Sequence, residues 1–244
     1  MYYPTLDMVK RLARQGNLVP IYREVVADLE TPVSAFLKIN RGGYSFLLES
    51  VEGGQRLARY SFIGTEPYLV VGTGAGDGTD PLSLLSRELG RYVVVPVGDL
   101  PRFCGGAVGY LGYEVVTHFE ELPSPESDPL GLPQSLFMLV DTMLVFDHVT
   151  HKVKVISHAC LDGDIEQAYE QAVARIDCLV ERLSRPLEPD PLPGRSIPAG
   201  EEYKLTSNFS KEEFEAGVVK IKDYITRGEA CLLYTSDAAD EGLG

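Results

Sequence analysis

The chain of 244 residues is 44% hydrophobic and 24% charged, ordinary proportions for a globular protein able to bury one large core or two small ones. Its 22 Lys and Arg against 36 Asp and Glu leave a net charge of −14, which repels a phosphate backbone or an anionic bilayer, so nucleic acid is not an expected partner. Uninterrupted apolar runs, such as residues 92–95 and 143–146, fall far short of the roughly 20 residues that cross a bilayer, and no membrane span is expected.

The opening segment MYYPTLDMVKRLARQG lacks the apolar centre of a secretory signal, which points to the cytoplasm. Thr5 is placed to cap a short helix with Leu6, Val9 and Leu12 on its apolar face, ended by Gly16 in a left-handed conformation. Leu18–Val26 reads as a strand. Thr31 and Pro32 start a second helix, with Val33, Phe36 and Leu37 as its buried side, and residues 40–43 turn the chain. Residues 44–50 and 57–63 are β-prone and joined by a segment with paired glycines, which predicts an antiparallel hairpin presenting Glu49 and Ser50 near Arg59, Tyr60 and Ser61. A strand at 67–72 follows, and then a helix capped by Asp80 through Leu82, Leu85 and Leu89.

Strands resume at 106–110, and 136–148 with 152–158 reads as a second hairpin around residues 149–151. Asp164 caps the strongest helix of the sequence, where Ile165, Tyr169, Ala172, Ile176, Leu179 and Leu183 recur at helical spacing up to Arg185. Five prolines between 186 and 200 mark a linker, because each fixes φ and removes a backbone donor. Ser210 and Glu213 then form a capping box for a helix carrying Phe214, Val218, Ile221 and Ile225, with Gly228 after its end. The expected fold is α+β: a mainly antiparallel sheet sandwich covered by the helices at 164–185 and 210–227.

Local signatures of catalysis are weak. Gly72, Gly74, Gly76 and Gly78 alternate without the Gly-Lys-Ser/Thr of a phosphate loop, and read as a flexible connection. His148 and His151 flank a turn without a third ligand at metal-binding spacing. Cysteines at 104, 160, 178 and 231 show no C-x-x-C pair, so neither zinc nor a disulfide framework is expected, and buried thiols are.

Five segments in order carry a family resemblance: VPIYREVVADLETPVSAFLKI at 19–39, SFLLESVEGGQRLARYSFIGTEPYLVV at 45–71, FCGGAVGYLGYEVV at 103–116, FMLVDTMLVFDH at 137–148 and NFSKEEFEAGVVKIKDYITRGEA at 208–230. Together they resemble the first half of anthranilate synthase component I, the chorismate-using subunit that begins tryptophan synthesis. The resemblance implies a regulatory domain over 1–185, a linker over 186–205 and the start of a chorismate-binding domain over 206–230. It places Leu48, Glu49 and Ser50 in the pocket for the feedback inhibitor L-tryptophan, with Arg59, Tyr60 and Ser61 lining or bracing the region. A carboxylate there suits the α-ammonium of the inhibitor, and a hydroxyl suits either polar end.

The same resemblance implies that catalytic residues and magnesium ligands belong to a second domain outside this chain, together with the chorismate pocket. A glutamine amidotransferase subunit is the implied partner. Residues 231–244 do not continue the family pattern; they resemble translated sequencing-adapter read-through and are expected to carry no biological meaning. Two other readings stand beside this one. The first is the large subunit of aminodeoxychorismate synthase, and the second is a stand-alone ligand- or partner-binding module.

Overall fold

The computed structural model describes residues 1–49, 59–74, 78–122, 131–187 and 206–229. The chain divides into two units, Met1–Pro189 and Asp190–Gly244.

In the first unit, helix α1 (Leu6–Leu12) leads into strand β1 (Leu18–Val26) and helix α2 (Pro32–Ile39). Thr31 caps α2 through its hydroxyl, which accepts from the Ser34 amide, and Pro32 occupies the first turn where no donor is needed. The buried face of α2 is Ala35 and Ile39, whereas Val33 and Leu37 are about half exposed. The apolar stripe is thus rotated from the expected one. Lys38 pairs with Glu30, and reaches the carbonyl of Leu183 at 3.3 Å, which helps set that rotation. Gly16 is also not the left-handed helix end that was expected. A Cβ there would meet the Val93 carbonyl oxygen at 2.2 Å, so glycine serves a close backbone approach.

Strands β2 (Ser45–Leu48) and β3 (Tyr60–Thr65) pair antiparallel, as the hairpin reading expects; their connection lies outside the described residues. They are followed by β4 (Leu69–Thr73), α3 (Pro81–Leu89, capped by Asp80) and β5 (Gly106–Leu111). The apolar stretch 136–148 is not one strand. It divides at Asp141 into β6 (Ser135–Val140) and β7 (Thr142–Asp147), and β8 (Lys152–Cys160) completes the set. Among the described residues β1, β8, β7, β3 and β2 form one sheet in that order, and β4, β6 and β5 form another, all pairs antiparallel. Asp141 is where a continuous chain leaves one sheet for the other.

Helix α4 (Ile165–Ser184) covers one face of the larger sheet through Ala172, Ile176, Leu179 and Leu183, as its spacing predicts. Asp164 accepts from the amides of Glu166 and Gln167. The opposite face of the larger sheet packs Tyr22, Met143, Val145 and Ile156 against Met138 and Val140 of β6. Strand β8 therefore has apolar neighbours on both sides, and its residues from Val153 to Ala159 are all buried. The thiols do not follow the expected burial: Cys160 and Cys178 are exposed, and Cys104 is intermediate.

In the second unit, helix α5 (Lys211–Thr226) begins with the predicted capping box, Ser210 to the Glu213 amide and Glu213 back to the Ser210 amide. Gly228 follows at φ 75°, the left-handed turn expected after its end. None of the residues of α5 is buried within its own unit. No helix among the described residues is long and apolar enough to cross a membrane.

Candidate functional site

Glu49 directly follows the edge strand β2, one residue past the Leu48↔Phe62 pair of the β2–β3 ladder. Alternation of side chains along β3 then decides what it meets. Phe62 and Tyr60 join the core between the two sheets, whereas Ser61 points to the other face. Ser61 is buried, with its Oγ 2.7 Å from Nε2 of His148 and 3.5 Å from Oε1 of Glu49. The short contact is the stronger one, and the long one is at the limit of a hydrogen bond. With the proton on Nε2, Ser61 accepts from His148 and donates to Glu49.

His148 reaches this position because it follows β7, and its amide donates to the Arg59 carbonyl at 2.9 Å, extending the β3–β7 pairing. Its ring also stacks on Phe146, centroids 6.4 Å apart. His148 does lie in the turn that the sequence reading expects, but that reading did not foresee its contact with Ser61. The signal available was its place opposite Arg59 if 59–63 pairs with 143–147.

Leu48 and Glu49 are exposed at the end of the edge strand. Ser50 lies outside the described residues. Arg59 turns elsewhere: its Nε and Nη2 hold the two carboxylate oxygens of Asp147 at 3.1 and 2.7 Å, and the guanidinium lies 4.8 Å from the Tyr60 ring centre. Of the three bracing candidates, only Ser61 comes within hydrogen-bonding reach of Glu49. Arg59 and Tyr60 build the neighbouring structure.

Asp147 is buried, and its bidentate bond to Arg59 outweighs the burial, so the carboxyl is held down at about 2. The unfolded chain takes up this proton first, near pH 4. The contribution to stability is therefore complete above about pH 5 and is lost as pH falls towards 2. Because Arg59 is 43% exposed, water screens the pair, and about 1 kcal/mol is expected rather than the full shift. Asp147→Asn should lower stability at pH 7 by about 1 kcal/mol and flatten the acid limb, measured by thermal melting from pH 7 to 2.5. An unchanged acid limb would remove Asp147 as its cause.

The trio of Glu49, Ser61 and His148 is not a nucleophilic machine. Glu49 contacts the hydroxyl rather than the far nitrogen of His148, and Ser61 is buried beneath both, so no base is oriented towards an accessible nucleophile. An exposed carboxylate backed by a fixed hydroxyl is instead suited to holding a cationic group. No group of three His, Cys, Asp or Glu side chains able to hold a metal occurs among the described residues.

The model of the chorismate binding enzyme family matches residues 44–239, most of the chain, including Glu49, Ser61 and His148. The chain belongs to that family. Within the chorismate-binding enzymes it is 39% identical to "Anthranilate synthase component 1" of Acetivibrio thermocellus, over 94% of this chain and 49% of that relative. It is 39% identical to the protein of the same name from Pseudomonas aeruginosa, over 90% of this chain and 48% of that one. The chain thus spans about half the length of the curated relatives it matches. The crystal structure of anthranilate synthase component I from Streptococcus pneumoniae TIGR4 shares the fold, with a TM-score of 0.52 at 24% identity over 84% of this chain and 46% of that one. The α+β architecture read from the sequence is therefore that of a chorismate-binding enzyme.

Proposed function

We propose that this chain is the amino-terminal half of an anthranilate synthase component I and carries part of its L-tryptophan feedback site. The supporting observation is the 39% identity to a protein of that name along 94% of this chain, matched to 49% of the relative. In this reading Glu49 pairs with the α-ammonium of tryptophan, Ser50 and the neighbouring backbone hold its polar end, and Leu48 offers apolar contact. Ser61, fixed by His148, keeps the Glu49 carboxylate in place; it is a positioning residue. Arg59 and Asp147 clamp the start of β3 so that Ser61 keeps its register.

The whole enzyme would convert chorismate and ammonia to anthranilate and pyruvate, with ammonia supplied by a glutamine amidotransferase subunit, in the cytoplasm. Magnesium would serve that chemistry. The described residues of this chain bring together no group of three His, Cys, Asp or Glu side chains for it, and its ligands are proposed to lie in the other half. Bond making and breaking are assigned to the other half, and this chain by itself should be inactive.

The test is a fusion of residues 1–230 to the remaining half of the Acetivibrio thermocellus relative, assayed with chorismate, magnesium and ammonium by anthranilate fluorescence. Anthranilate formation that tryptophan suppresses is expected from the fusion, and none from the chain alone. Turnover by the chain alone, or aminodeoxychorismate as the product of a fusion, would overturn the reading.

A further inference from the structure

Beside Asp141, where the chain passes from one sheet into the other, lies a cleft of about 550 Å³, within the size range of small-molecule sites. It lies at the opposite end of β7 from Glu49, because Asp141 precedes that strand and His148 follows it. The cleft is closed at its base by a built arrangement. Gly105 sits so near His158 that a Cβ would meet the ring at 2.6 Å. His158 is buried, with Nδ1 3.0 Å from the Asp141 carbonyl oxygen and Nε2 3.9 Å from the Cys104 sulfur. Burial pushes its pKa down, so the base of the cleft carries no charge from the ring.

The walls are apolar and aromatic. Tyr68, Leu89 and Val94 line the cleft and remain about 40 to 50% exposed, which is apolar surface left in contact with water. Tyr92 lines the same wall. The charged groups lining it are Arg102, Arg175 and Asp141, a local excess of one positive charge in a chain of net −14. Arg175 is partly used: Nε donates to Ser157 Oγ at 2.8 Å and Nη2 to the His158 carbonyl at 2.7 Å, with Asp141 at 3.6 Å. Its Nη1 makes no hydrogen bond among the described residues. Arg102 is exposed and has no ion-pair partner among them. Arg102 is therefore the cation here whose charge is not already answered.

The geometry points to a second ligand site in this cleft, for a small aromatic carboxylate whose ring lies against Tyr68, Tyr92 and Val94 and whose carboxylate meets Arg102 and Nη1 of Arg175. Guanidinium groups match a carboxylate in shape and charge, and the ring would cover the exposed wall. The Glu49 site presents a carboxylate, and so selects the opposite charge. The two sites differ in what they recognise as well as where they lie.

Because the chain contains no tryptophan, an indole ligand is read by its own fluorescence. Equilibrium dialysis of the full chain against indole-3-acetate should show saturable binding. The neutral indole-3-acetamide and the Arg102→Ala variant should each bind roughly tenfold or more weakly, since each removes one side of a charge-assisted contact. Glu49→Gln should leave this binding in place. Circular dichroism melting shows whether each protein is folded, and Arg102 is exposed, so its removal should not move the melt. Absence of saturable binding by the folded chain would overturn the proposal. So would equal binding of acid and amide, or loss of binding in Glu49→Gln. None of these results bears on anthranilate formation by the fusion, so the two readings fail separately.

Discussion

In the fused enzyme, Glu49→Ala should raise the tryptophan concentration that halves anthranilate formation by roughly 10- to 100-fold. The magnitude follows from losing one hydrogen bond to a charged group, worth about 1.5–3 kcal/mol, at a factor of ten per 1.4 kcal/mol. Inhibition is measured as the ratio of rates with and without tryptophan, so any effect on turnover itself cancels. Ser61→Ala should act in the same direction but less, because Ser61 touches the carboxylate only at 3.5 Å and works by holding it. His148→Ala should resemble Ser61→Ala, since its 2.7 Å contact is what fixes the hydroxyl. A Glu49→Ala enzyme with the parental inhibition curve would remove Glu49 from the inhibitor site. It would leave the family assignment intact, because that rests on the match over residues 44–239.

The largest loss of stability is expected from Leu144→Ala. Leu144 lies in β7, the middle strand of the larger sheet, and is fully buried among the residues that α4 covers. Removing its isobutyl group forfeits the transfer energy and leaves a cavity, because neighbours on both flanking strands and the helix are held by their own pairing. About 3–5 kcal/mol is expected. For a unit of this size that corresponds to a fall in melting temperature of roughly 6–20 °C, followed by circular dichroism. Leu132→Ala is the control, since Leu132 is 60% exposed and should move the melt by no more than about 0.5 kcal/mol. If the two variants melt alike, the packing described for β7 is wrong.

The exposed residues Leu69, Tyr110 and Leu111 fall on β4 and β5, which form the two edges of the three-stranded sheet among the described residues. Unpaired edges with apolar side chains favour association.

The elements whose causes lie within a few residues could be read in advance. The caps at Thr31, Asp164 and Ser210 each bond to an amide two or three positions away, and β1 appears at the bounds its β-branched run predicts. The buried stripe of α4 was legible for a similar reason: four apolar positions repeat at helical spacing against a charged face. Glu49 was reached only through the resemblance, since an exposed carboxylate at a strand end has no local mark.

Tertiary structure decided what depends on distant partners. The run 136–148 is apolar on both faces, so no periodicity could reveal that Asp141 divides it between two sheets. That division is set by pairing with β3 and β8 on one side and β4 and β5 on the other. Arg59 stands 88 positions from Asp147, and His148 stands 87 from Ser61, so which arginine is consumed and which histidine braces the site are consequences of register. Capping and amphipathic periodicity act along the chain and are written into neighbouring residues. Sheet register, the face each side chain takes, and the cleft beside Asp141 act across it, and exist only once the strands have met.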